Sequence, residues 1–279
     1  MNTLPTLFLS HGSPMTALEP GAAGDFLQRL GPVIDATFGR PKAVLAISAH
    51  TLTREPVLLA APRHEAVYDF HGFPDALYQL RYDAPGAPAL APRVQQLLAA
   101  GGFHTHVVDE GGLDHGIWTP LRYAWPQADV PVLPLGFVPT WSPERLLAFG
   151  RALAPLAREG VLIVGSGSIT HNLRMVFGGG RPPVDAPEVE SSAAFRGWVA
   201  DRAAHADWAA LNDYRRQAPH AALMHPSDEH WLPWYPAGGA AGDAAVGTRL
   251  HDSVTYGCLG MDAYAFGPRG PTLAQALAA

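Results

Sequence analysis

The chain has one cysteine, Cys258, so no intrachain disulfide can form. It lies in the apolar stretch Tyr256–Met261 and reads as a buried, inert thiol. Basic residues do not cluster. With 19 of them against 25 acidic ones the formal charge is −6, which leaves no electrostatic footprint for nucleic acid. No apolar run approaches the length that spans a bilayer. The segment Leu4–Leu9 is too short for a signal-peptide core, and no Lys or Arg precedes it. The expectation is a soluble, cytoplasmic protein with neither a nucleic-acid nor a membrane partner. No repeat and no linker divides the 279 residues, which suit a single catalytic domain. The 29 glycines and 27 prolines are scattered, as punctuation in a loop-rich enzyme and not as a disordered tract.

What is present is a hydrophobic share of 48% and a recurring pattern of short apolar runs. Thr6–Leu9, Ala43–Ile47 and Val161–Val164 are continuous and not alternating, as in parallel strands covered on both faces. Val130–Leu135 is a fourth, with Pro134 set against its middle. Thr53–His71 leaves room for an antiparallel excursion around Pro56–Leu59. Pro88–Ala100, ending at Gly101–Gly102, and Ser142–Arg158, with its Ser-Pro-Glu start, read as helices. Pro187–Asp213 reads as a further helix. Gly238–Gly247 is expected to be a loop, His251–Thr255 and Leu259–Ala265 two late strands, and the last dozen residues a peripheral tail. The alternation predicts an α/β fold: a three-layer α/β/α domain with a mainly parallel sheet and a crevice at the strand C-terminal ends.

Thirteen histidines stand against this frame, and their placement points to chemistry. His11 and His50 each follow the end of an apolar strand, an arrangement in which two adjacent strands deliver one imidazole each to a metal. His115 lies in Gly112–Trp118, where Asp114 could cap the following helix or orient an imidazole. His171 follows the glycine-rich turn Gly165–Ser168, whose spacing matches neither a dinucleotide fingerprint nor a P-loop; it is expected in the first helical turn. Pro226–Pro233 reads as a helix start capped by Ser227, presenting either His230 or Glu229 inward. His225 reads as structural, as do His64, His71, His205, His220 and His251, while His104 and His106 are expected to face solvent.

Five words in one order carry a resemblance: HGSP (His11–Pro14), SAH (Ser48–His50), GLDHG (Gly112–Gly116), GSGxxxHNL (Gly165–Leu173) and EHWLP (Glu229–Pro233). With His71–Ala91 and the closing strands, they resemble the class III extradiol ring-cleaving dioxygenases, nearest the DOPA 4,5-dioxygenase branch, over nearly the whole chain. The resemblance implies the same three-layer fold, with His11, His50 and His230 as metal ligands and Glu229 as the alternative to His230. It implies that His171 is the acid/base residue and a possible fourth ligand, and that His115 lies on the substrate side. The expected metal is Fe(II) for activity, with Zn(II) possible in isolated protein, and the expected partners are a small aromatic diol and O2. Phe70, Trp118 and Trp231 are candidate pocket walls. Thr51 and Ser168 depart from the family's usual residues, which bears on the pocket rim and substrate identity. Two rivals remain: a zinc-dependent hydrolase on the same histidines, and a non-catalytic metal-binding protein of the same fold. The preferred catechol, the cleavage regiochemistry and the oligomeric state are not encoded in these patterns.

Overall fold

The computed structural model describes residues 3–180, 182–243 and 245–279. Its centre is an eight-stranded sheet. The strands are β1 (Thr6–Ser10), β2 (Ala43–Ser48), β3 (Val57–Leu59), β4 (His106–Val108), β5 (Val132–Gly136), β6 (Val161–Gly167), β7 (Gly247–His251) and β8 (Ala263–Phe266), in the order β4-β3-β5-β2-β6-β1-β8-β7. The four central strands β5, β2, β6 and β1 run parallel. Antiparallel pairings flank them, β3 against β5 on one side and β8 against β1 and β7 on the other. This is the expected α/β class, with the excursion at Val57–Leu59 forming an antiparallel neighbour of β5.

Alternation along the buried strands feeds two separate cores. Phe8, Leu45, Ile47 and Ile163 pack with Leu146, Phe149 and Trp234 on one face. Leu7, Leu9, Val44, Ala46 and Val164 pack with Phe26, Leu30, Ile117 and Leu273 on the other. Continuous apolar runs thus mark strands with no solvent face. Pro134 is tolerated inside β5 because β3 pairs only with Leu135 and Gly136 beyond it.

Several local expectations are corrected. The glycine-rich stretch from Gly238 is not all loop: Trp234–Ala240 is a helix packed on the helix Pro143–Leu153. A Cβ on Gly239 would stand 2.1 Å from the Leu147 carbonyl oxygen, so the small residues there serve close helix packing (Ala244, in the same stretch, lies outside the described residues). Pro187–Asp213 divides into Glu190–Ala204 and Trp208–Asn212, interrupted where Ala206 takes a positive φ of 51°. His251 closes β7 and does not open a strand, and Val254–Thr255 and Leu259–Gly260 form a separate small hairpin. The last residues are not a peripheral tail: the helix Gly270–Ala278 buries Leu273 and Leu277 against the second core. Among the described residues, no helix is long and apolar enough to cross a membrane.

Candidate metal centre

The parallel strands end at one rim, and the histidines gather there. His11 follows β1 directly, and His50 follows β2 by two residues. These strands are not adjacent, contrary to the sequence reading, because β6 lies between them. That insertion brings Ser166 against His11. Ser166, at the end of β6, donates its hydroxyl hydrogen to the Gly116 carbonyl and lies 3.0 Å from His11 Nδ1. With its one hydrogen committed, the hydroxyl accepts from Nδ1–H, which leaves the lone pair of His11 on Nε2.

His230 arrives from a distant segment. Residues 226–233 are turns and not the expected helix start; helix begins at Trp234, and Ser227 bonds Glu229 in place of capping. The segment docks against β6 through Ser168 N–H donating to the His230 carbonyl. A Cβ on Gly167 would lie 2.1 Å from that carbonyl oxygen, so the glycine-rich word, expected as a turn but running as the end of β6 through Gly167, serves backbone approach and not phosphate.

The three imidazoles converge. His50 Nε2 lies 3.1 Å from His11 Nε2 and 3.2 Å from His230 Nε2. Each Nδ1 faces an oxygen: Ser166 Oγ for His11, Asp69 Oδ2 at 3.3 Å for His50, and Glu229 Oε1 at 3.2 Å for His230. Histidines that bind metal are usually held this way, with the far nitrogen donating to an oxygen and the near one free. Three neutral imidazoles presenting lone pairs to one another at this distance repel unless a cation sits among them, so the donor set fits a divalent metal with coordination positions left open. Glu229 is placed as the partner of His230 Nδ1, although Glu229, His171 and His230 also bring ligand atoms within 4.8 Å of one another.

Burial sets the protonation of these rings. His11 and His230 titrate well below the ordinary histidine range, through desolvation first and neighbouring imidazoles second. His50 is lowered to about 3, chiefly by burial and then by His115, with Asp69 opposing. His171 is lowered to about 4, again by burial. It is not in a helical turn: Asn172 caps the short helix Leu173–Phe177 and His171 precedes the cap. Its ring stacks on His230 at 3.4 Å and 8°.

Asp114 occupies the N-cap position of the helix His115–Ala124 but makes no capping bond. Its carboxylate accepts from the Ser48 and Thr51 hydroxyls instead, so Thr51 secures Asp114 and is not part of the cavity wall. Burial raises the Asp114 pKa against those bonds. The acid that meets His50 and His115 is Asp69, a residue that no motif of the sequence singles out. Its Oδ1 accepts from the His115 backbone N–H at 3.0 Å and lies 2.9 Å from His115 Nδ1. Burial works against the Asp69 carboxylate, but the His115 hydrogen bonds and the nearby His50 outweigh it and hold its pKa below the usual range.

A cavity of about 220 Å³ opens beside these residues, bounded by His50, His115, His171 and His230 on one side and by Phe70, Phe73, Leu173, Phe177 and Leu259 on the other. Phe70 is a wall as expected. Trp118 and Trp231 are instead fully buried core residues, Trp118 donating to the Val67 carbonyl and Trp231 stacking on Trp234. Ser168 is also buried, donating to the Thr170 carbonyl. His225 is structural, bonded to the Ile169 carbonyl, and His104 and His106 are exposed. A larger open groove of about 770 Å³, between Asp35, Arg81 and Trp125, contains no histidine and lies apart from the converging imidazoles.

Comparison with known proteins agrees with this geometry. Residues 5–267 match the family described as the catalytic LigB subunit of aromatic ring-opening dioxygenase. A Beta vulgaris protein named 4,5-DOPA dioxygenase extradiol is 39% identical, with 95% of this chain and 97% of that protein covered. A Portulaca grandiflora protein of the same name is 38% identical over 94% and 95%. The crystal structure of an uncharacterized Escherichia coli K12 protein superposes with a TM-score of 0.76 at 31% identity, covering 95% of this chain and all of that one. Histidines delivered by parallel strand ends, the apolar cavity beside them and a match over nearly the whole length lead to one conclusion: the chain belongs to the LigB family of extradiol aromatic ring-opening dioxygenases.

Proposed function

We propose that this chain opens the ring of a catechol with O2, using one divalent metal, Fe(II) for activity, held by His11, His50 and His230. The observation that carries this reading is the convergence of three Nε2 atoms, each ring having its Nδ1 against an oxygen. When bound, the iron supplies the electron transfer between diol and O2 that no side chain here can perform. The remaining work belongs to the chain. His171, neutral and at the cavity edge, accepts a proton from a catechol hydroxyl and returns it when the O–O bond breaks. His115, with Nδ1 engaged by Asp69, has Nε2 left to accept a hydrogen bond from substrate. Phe70, Phe73 and Phe177 hold the ring and exclude water.

At about 220 Å³ the cavity is smaller than the roughly 300–1,000 Å³ typical of drug-sized ligands, which favours a single-ring substrate. The relatives are named for DOPA, itself a catechol, so DOPA heads the panel to be tested. The product is a ring-opened semialdehyde acid that retains both oxygen atoms of O2. Loading with Fe(II) under anaerobic conditions, then adding catechols and O2, should give a yellow product and one O2 consumed per catechol. Absence of oxygen uptake across the panel in protein that demonstrably holds iron would overturn the proposal, and hydrolysis by the zinc-loaded form would replace it with the hydrolase reading.

A further inference from the structure

We infer that Asp69 is the positioning residue of this centre: its single carboxylate orients both a metal-ligand histidine, His50, and the cavity-facing histidine, His115. The inference rests on the metal-site reading above and extends it to a residue outside the ligand set.

Asp69 belongs to no helix or strand. It is held in place by the target it serves, since the backbone N–H of His115 donates to its Oδ1 at 3.0 Å. The same oxygen lies 2.9 Å from His115 Nδ1, and the other oxygen lies 3.3 Å from His50 Nδ1. The two imidazole rings are 4.1 Å apart, so the carboxylate spans a pair already in contact. An ionised carboxylate only accepts hydrogen bonds. Both histidines must therefore carry a proton on Nδ1, and in the neutral rings the lone pair then falls on Nε2. For His50 that nitrogen is the one facing His11 and His230. For His115 it is the nitrogen left for the cavity that this residue lines. Among the described residues the two other carboxylates beside these rings are engaged elsewhere: Asp114 with the Ser48 and Thr51 hydroxyls, and Glu229 with His230 and Ser227.

Asp69→Asn is a sharp test because it preserves shape and changes donor character. Two donors on the His115 side, the backbone N–H and Nδ1–H, retain the amide oxygen there. The amide NH2 then faces His50, whose Nδ1 can meet it only by giving up its proton. His50 Nε2 would become protonated and lose its lone pair.

Two measurements decide the matter. In metal-free wild-type protein, 15N–1H correlation spectra of the histidine rings should show the Nδ1–H form for both His50 and His115; an Nε2–H form at either one overturns the inference. In Asp69→Asn, Zn2+ affinity measured by chelator competition should fall by roughly 10–100-fold, as outer partners of metal ligands usually require. Asp69→Ala serves as the second variant and should weaken zinc by at least as much. Affinity within twofold of wild type in either folded variant overturns the inference. A merely structural role would lower the melting temperature of the metal-free variant and leave the ring spectrum and the affinity of the folded protein unchanged. Wild-type zinc binding that is indifferent to His11→Ala would instead sink the metal-site reading itself.

Discussion

Among the described residues four groups of side chains bring three ligand atoms within 4.8 Å, and two of them share no residue and differ most: His11, His50 and His230 at the strand ends, and Glu55, His104 and His106 at the β4 edge of the sheet. Proximity is their only common property. At the edge all three residues are exposed, and the short His106–Glu55 ion pair is open to water. There the hydrogen-bonded imidazole nitrogen, His106 Nε2, meets a carboxylate of the group itself. At the strand ends His11 and His230 are buried, His50 is half-buried, and every Nδ1 has an oxygen against it. The lesson is that a metal centre is recognised by desolvated, oriented donors and by the atoms behind them, more than by a count of ligands.

The largest expected effect separates the two groups outright. His11→Ala or His50→Ala should reduce zinc affinity by more than the roughly 10–100-fold that loss of an outer partner causes, while His106→Ala should leave the high-affinity site intact in the same chelator titration. Next in size, His171→Ala should keep the metal by elemental analysis and lose turnover by roughly 10²–10⁴-fold, the usual contribution of general acid–base catalysis; full catechol cleavage by this variant would refute its role. Ser166→Ala removes the oxygen behind His11 together with its bond to the Gly116 carbonyl, and zinc affinity should drop by about tenfold, at the low end of outer-partner effects.

Burial predicts a more diffuse difference, read in stability and not in affinity. His50 and His225, both lowered to about 3, and His171, lowered to about 4, are neutral in the folded protein and take up protons on unfolding once pH falls below the ordinary histidine value of 6.5. Folded pKa values below unfolded ones mean that this stability is present above about 6.5 and is lost as pH falls toward 4 and 3. Each buried histidine steepens the loss by at most about 1.4 kcal/mol per pH unit. Melting of the metal-free protein from pH 7 to pH 5 measures it, and a flat melting temperature over that range would break the comparison. Smallest of all, Glu55→Ala should change neither metal content nor turnover.

Sequence patterning exposed the strands and the candidate ligands for related reasons. Runs such as Ala43–Ile47 and Val161–Val164 lack polar residues because both faces of β2 and β6 are covered, and that is visible locally. His11 and His50 could be singled out because they interrupt such runs at their carboxyl ends. Asp69 could not be separated from an ordinary loop acid, because its partners lie 46 and 19 residues away and nothing near it in the chain is periodic. Its only local signal was a position between His64 and His71 beside two aromatic residues. Asp114, next to His115 in the chain, was the more obvious orienting acid, yet its side chain turns to Ser48 and Thr51.

By itself the amino-acid order determined the fold class, the side chains able to hold a metal and the family, because hydrophobic runs and motif words are properties of contiguous chain. Only the tertiary structure decided that β6 enters between β1 and β2, that Ser166, Asp69 and Glu229 stand behind the three converging imidazoles, and that glycines beside Leu147 and His230 permit backbone contact. Those features depend on which distant segments meet, and hydrogen-bond direction and steric clearance come into being only when they do.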